Sequence, residues 1–341
     1  MPDQLPATTE ARGMGPLPRL VRNMAGETVL LRLLRRSHLP VAVLENPALR
    51  IPVRDLAVLF SEAARTVGDS AFGLRVGAAM APADYGVFAR YSLAAPTLGQ
   101  GLGRLVRSVG HYQQDGCIFV DFSGPLVRLG YRTTFQAAPF ARHHGDHVIW
   151  PLIQFGRAFL GADWRPSAIE VPYPRDSQHL LALDTYLGVP VGWSRPAVAL
   201  LFPRETLAAR RGASFAVQLL SRGELRDFLG RPRRPRVSDL VAEIVALRLQ
   251  DGRADLDGAA ARLGMHRRAL QRALAGEGAT YRTVAERVMR RIAERELAQG
   301  DQPIADLALS LGFSEPQHFT RAFRRWAGVA PSAYRAAVAG R

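Results

Sequence analysis

A chain of 341 residues is longer than one hydrophobic core ordinarily serves, and its 48% hydrophobic content is enough to fill two. No apolar run approaches the roughly 18 residues that a membrane span requires, and the single cysteine, Cys117, excludes an internal disulfide and a cysteine-rich metal site. The formal charge of +15 points to a polyanionic partner, yet all 45 basic residues are arginine, a uniformity that a GC-rich genome produces by itself.

Distribution separates the two explanations. Residues 231–341 hold 20 Arg against 12 Asp and Glu, whereas residues 1–230 hold 25 against 18. Net positive charge per residue is thus more than twice as dense in the last third, as expected of a segment that meets a phosphate backbone.

In chain order, residues 1–20 (MPDQLPATTEARGMGPLPRL) lack the basic-then-apolar order of an export signal. Their prolines and glycines predict a disordered leader, and the protein is expected to be cytoplasmic and nucleoid-associated. Residues 21–228 mix two periodicities. Leu30, Leu31, Leu33 and Leu34, then residues 56–67 with Phe60, Ala63 and Ala64, repeat at helical spacing. CIFVDFSGPLVRLGYRTTF, residues 117–135, alternates like two strands joined by a Ser-Gly-Pro turn, with Cys117 as a buried small residue. Further strands are expected at 168–171 and 197–202, giving an α+β domain.

Sharper readings of this domain are weaker. In RHHGDH, His143 and His147 stand at i, i+4 and could share a metal, but no further ligand follows at a recognisable spacing, so the run reads as a solvated or capping cluster. The glycines of GQGLG at 99–103 lack the setting of a dinucleotide fingerprint and predict a tight turn or helix start. No phosphate loop, nucleophile elbow or HExxH run is present. No catalytic residue, cofactor or metal is therefore assigned, and an enzyme is the weaker hypothesis.

Residues 229–238, beginning LGRPRRPRVS, interrupt helical patterning and read as an interdomain linker that ends with Ser238 capping the next helix. Residues 239–341 show only helical periodicity and form an all-α domain. Val241, Ile244, Val245 and Leu249 mark its first helix. Within it, LDGAAARLGMHRRALQRAL (256–274) and IADLALSLGFSEPQHFTRAF (304–323) repeat at an interval of 48 to 49 residues. Leu263-Gly264-Met265 matches Leu311-Gly312-Phe313, and Leu270, Arg272 and Leu274 match Phe319, Arg321 and Phe323.

The logic is that of a helix-turn-helix. Small residues (Ala259, Ala260; Leu307, Ala308) allow close crossing, glycine permits the turn, and paired apolar residues anchor the second helix from below. Between the copies, Tyr281, Val284, Val288, Ile292 and Leu297 stripe a helix over residues 280–298. Its length, about 28 Å at 1.5 Å per residue, approaches the roughly 34 Å between successive major-groove faces.

LQR at 270–272, LGF at 311–313, FTRAFRRWAG from Phe319 and GVAPSAYR at 328–335 resemble the AraC/XylS family of transcription regulators over residues 238–336. The resemblance implies two helix-turn-helix units joined by a long helix. It places Arg267, Arg268, Gln271 and Arg272 on one recognition helix towards double-stranded DNA, and Pro316, Gln317, His318 and Arg321 on the other, with Arg324 and Arg325 nearer phosphate. Two positions depart from the family: His266, where a serine or threonine cap is common, and Pro316, which cannot donate a hydrogen bond.

FGLRVG at 72–77, Asp84-Tyr85-Gly86 and SLAAPTLGQGLGRL at 92–105 resemble the arabinose-binding-type, non-cupin effector domain of one branch of that family. Implied partners are promoter or operator DNA, RNA polymerase, a small organic effector and a second copy in a homodimer, with no membrane. Activation and repression both remain open. An enzyme with a DNA-tethering module and an architectural DNA binder without effector are the competing classes.

Overall fold

The computed structural model describes residues 7–339 except 115, 176–182, 184, 185, 213–219, 231–235, 250–254 and 264. These residues form two compact units, Ala7–Arg234 and Pro235–Arg341. Half of the expected linker, residues 231–235, and Gly264 of the first turn lie outside the described residues. No described helix is long and apolar enough to cross a membrane.

The N-terminal unit is α+β. Strands β1 (Thr8–Glu10) and β2 (Arg50–Pro52) pair antiparallel, flanking helices α1 (Leu17–Ala25) and α2 (Glu27–Arg36). Helices α3 (Val53–Val67), α4 (Phe72–Ala78), α5 (Gly86–Leu93) and α6 (Leu98–Tyr112) follow. The GQGLG run falls in the first turns of α6, whose N-terminus is closed by the Thr97 hydroxyl accepting from the Gln100 N–H.

The hairpin β3 (Cys117–Asp121) and β4 (Leu126–Arg132) leads to α7 (Arg142–Leu160), then β5 (Ala168–Glu170), β6 (Val191–Gly192), β7 (Val198–Pro203) and α8 (Arg222–Leu229). The sheet order is β3-β4-β7-β5-β6, antiparallel except between β5 and β6. The apolar run VALLFP of β7 sits at its centre, as a strand covered on both faces requires.

Three expectations change. Residues 7–20 are not a disordered leader: Thr8 and Thr9 are buried in β1, and Leu17 and Val21 anchor α1 in the core. Cys117 is exposed rather than buried, because β3 is an edge strand and its alternation turns Ile118 inward instead. The RHHGDH run is not solvated: His144, Asp146 and His147 are all buried on α7. His144 and His147 pack around Phe60, with the His147 ring stacked at 4.5 Å between centroids. No metal-binding group of three ligands occurs among the described residues.

The packing of α4 on α7 explains FGLRVG. A Cβ on Gly73 would meet the His143 carbonyl oxygen at 2.3 Å, and one on Gly77 would meet that of His147 at 2.4 Å. Two glycines one turn apart therefore let the backbone of α4 lie on α7. The His147 carbonyl faces Pro151, which has no N–H to donate to it. Gly73→Ala is expected to destabilise the unit by roughly 1 to 3 kcal/mol through overpacking against rigid backbone, read as a lower urea midpoint at unchanged m-value.

Burial pushes the His147 imidazole down to about 4, and His144 well below its ordinary range for the same reason. Both are neutral when folded, while the unfolded chain takes up their protons near pH 6.5. Their stabilisation is complete above that pH and drains away as pH falls towards 4. Urea titrations at pH 7 and pH 5 should show the N-terminal unit weaker at pH 5, with the difference reduced in His147→Gln.

Candidate nucleic-acid interface

The C-terminal unit is all-helical: α9 (Val237–Leu249), α10 (Leu256–Arg262), α11 (Arg267–Gly276), α12 (Tyr281–Gln299), α13 (Ile304–Ser310), α14 (Pro316–Ala327) and α15 (Pro331–Ala339). The internal repeat is visible in its hydrogen bonds. At the end of α10 the Met265 N–H donates to the Ala260 carbonyl at 2.9 Å, and at the end of α13 the Phe313 N–H donates to that of Ala308 at 3.0 Å. This six-to-one closure turns the chain sharply into the next helix. In the second copy the residue inside it is Gly312, at φ 79°, a conformation that favours glycine.

After each turn the second helix is nailed down from one side. Leu270 and Leu274 of α11, and Phe319 and Phe323 of α14, are completely buried. Their neighbours include Val241 and Val245 of α9 and Val284, Ala285 and Val288 of α12. Tyr334 of α15 meets Phe323 edge-on at 5.4 Å, and Arg335 donates to the Gln302 carbonyl at 2.7 Å, so the closing helix buttresses the second unit.

The linking helix α12 starts at Thr280, whose hydroxyl accepts from the Thr283 N–H. Both ends of the arrangement are pinned by acidic side chains that sequence reasoning missed. Glu277, just past α11, accepts from the N–H groups of Val237 at 2.6 Å and Ser238 at 2.9 Å. Burial alone would raise the Glu277 carboxyl, but these donors outweigh it and hold it below the usual range. Ser238 is therefore not the cap expected of it: it lies inside α9 and is buried. Glu286 of α12 pairs with Arg325 of α14 at 2.8 Å and with Arg282 at 3.1 Å. No local sequence signal marks the contacts of Glu277 with Val237 or of Glu286 with Arg325, because these partners are some 40 residues away.

All ten expected DNA-facing residues, Arg267, Arg268, Gln271, Arg272, Pro316, Gln317, His318, Arg321, Arg324 and Arg325, are exposed. They are not equally free. Arg325 is engaged by Glu286, and Arg267 pairs with Asp257 at 3.0 Å. Among the described residues, Arg268, Arg272, Arg321 and Arg324 enter no ion pair. Neither recognition helix has a side-chain cap: His266 and Glu315 occupy the capping positions without making the bond.

Residues 30–210 match the family described as the arabinose-binding N-terminal domain of AraC transcription regulators, and residues 259–337 match a helix-turn-helix domain family. The chain belongs to the AraC family of transcription regulators.

Similar proteins include the ornithine utilization regulator of Pseudomonas aeruginosa, 42% identical over 24% of this chain and 24% of that protein. Another is the transcriptional regulator VirS of Mycobacterium tuberculosis, 38% identical over 31% of this chain and 32% of that one. The matches thus span a quarter to a third of these relatives' length. Among solved structures, the regulator CdpR of Pseudomonas aeruginosa is similar at 24% identity and TM-score 0.40, over 89% of this chain and 97% of that one.

For this AraC-type chain the position of Glu277 makes a direct prediction. Glu277→Ala strips two amides at the start of α9 of their acceptor and should cost about 1 kcal/mol or somewhat more, measured by urea unfolding near neutral pH. Because the folded carboxyl titrates below its ordinary 4.5, the loss should shrink in acid, where the wild-type carboxylate is itself protonated.

Proposed function

We propose that the chain is a sequence-specific DNA-binding transcription regulator that places α11 and α14 in successive faces of the major groove and answers to a small organic effector bound by its N-terminal unit. The observation that carries the DNA reading is the sidedness of the two helices. Each buries its apolar pair completely and presents arginine and glutamine on the opposite, exposed side.

On α11, Arg268, Gln271 and Arg272 suit direct readout: arginine pairs with guanine O6 and N7, and glutamine with adenine N6 and N7. On α14, Gln317 and Arg321 extend the contact while Arg324 reaches towards phosphate. Arg267 and Arg325 serve this surface differently, as members of ion pairs that brace the recognition helices. Catalysis is no part of the reading, since the family is one of transcription regulators.

The proposal is tested by mapping the bound sites across the genome and then measuring affinity on a cognate and an unrelated duplex. Arg272→Ala should lose about 1 to 3 kcal/mol on the cognate site and much less on the unrelated one. Arg324→Ala should weaken both alike and lower the salt slope by about 1. If Arg272→Ala binds the cognate duplex as wild type does, Arg272 reads no base.

A further inference from the structure

The N-terminal unit holds a partly open cavity of about 70 Å³ walled by α3, α5, α6, α7 and the β3–β4 hairpin. Most of its wall is aliphatic or aromatic, with Phe88, Leu105, Val109, Ile118, Leu152 and Phe155 contributing. No Asp, Glu or Arg is among the described residues that line it. An ion entering would forfeit its hydration and find no counter-charge among the lining residues, a cost that ordinary contacts do not offset.

The polar groups of the wall are few and mostly committed. Tyr131 accepts a hydrogen bond from the Gln113 side chain, and His147 Nδ1 bonds the His144 carbonyl. Tyr112 and Thr9 are different. Their buried hydroxyls face each other and bond to no third group among the described residues. A Cβ on Gly13 would stand 3.3 Å from Tyr112 Oη, and Gly13 and Thr9 both line the cavity, so the hydroxyl pair lies at that end of it. A hydroxyl pair bonded only to itself leaves a donor and acceptor lone pairs unused, and a ligand carrying one polar group would take them up.

We propose that this cavity is the effector site and that its ligand class is an uncharged, largely apolar small molecule, aromatic or alicyclic, that offers one hydrogen-bonding group to Tyr112 and Thr9. The inference rests on the effector reading above and narrows it. A pentose is a poor match despite the family's name, because hydroxyls surround its ring and most would face hydrocarbon without partners. An aromatic ring with one hydroxyl satisfies both the apolar wall and the Tyr112 end.

The test uses the full-length chain and four probes, p-cresol, cyclohexanol, 4-hydroxybenzoate and L-arabinose, titrated by calorimetry. Wild type, Ala89→Leu, which fills the cavity, and Tyr112→Phe, which removes the hydroxyl, are compared, with operator affinity read in parallel. Saturable binding of p-cresol or cyclohexanol, at least about tenfold tighter than the anion or the sugar, is expected. Ala89→Leu should weaken it by about tenfold or more, and Tyr112→Phe by about fivefold.

Tighter binding of 4-hydroxybenzoate or L-arabinose, lost in Ala89→Leu, overturns the ligand class and leaves the effector reading standing. Binding that neither variant alters overturns the site. No binding by any probe, with Ala89→Leu only raising Tm, marks the cavity as a packing gap and overturns both. Should Ala89→Leu fail to fold, Tyr112→Phe decides, since it changes no volume that the core depends on.

Discussion

The C-terminal unit depends on a division of each recognition helix into a buried and an exposed side. Four side chains, Leu270, Leu274, Phe319 and Phe323, are removed completely from water. At about 25 cal/mol per Å² of apolar surface, each contributes on the order of 2 kcal/mol, more than any surface ion pair provides. That burial fixes the rotation of α11 and α14 about their own axes, and rotation decides which side chains reach a groove. The arginines and glutamines opposite gain their orientation without having to be held individually.

The N-terminal unit has a corresponding constraint of opposite chemistry. There the decisive feature is the absence of side chains at Gly73 and Gly77, which brings α4 onto the backbone of α7. The same stretch of α7 carries His144 and His147, two imidazoles kept neutral by burial, and both contribute to the cavity wall. Their ring nitrogens supply polarity without charge. Close helix packing and an uncharged cavity are therefore two results of one arrangement, and a bulkier residue at either glycine would displace the wall as well as the helix.

The elements readable from sequence were those set by local periodicity. The stripe from Tyr281 to Leu297 gave α12 within a residue or two, and the alternation after Cys117 gave the β3–β4 hairpin, because both signals reside in neighbouring residues. The repeat reached as far as its hydrogen bonds: the closures at Ala260–Met265 and Ala308–Phe313 are separated by 48 residues, as the sequence interval requires. What failed depended on distant partners. Cys117 reads as core in isolation, but edge position turned it outward. RHHGDH reads as solvated, but the glycines of α4, some 70 residues earlier in the chain, leave α7 covered. Residues 7–20 look like a leader until β2 supplies the pairing for β1.

The two helix-turn-helix units share a frame yet differ in how their recognition helices begin. His266 and Glu315 both leave the first amides without a side-chain acceptor, whereas Asp255 and Thr280 close the starts of α10 and α12. An amide that lacks a protein acceptor at a helix start is suited to phosphate, where the helix dipole also favours negative charge. In α14, Pro316 removes one of those amides and fixes the first turn in place of a cap. Arg325 is meanwhile drawn onto Glu286 of the linking helix. The second unit thereby offers fewer free donors at its start, while α11 keeps Arg268, Gln271 and Arg272 together on one exposed face. Under the proposed function, sequence reading on this scaffold concentrates in the first unit, with the second acting mainly to hold the duplex in register.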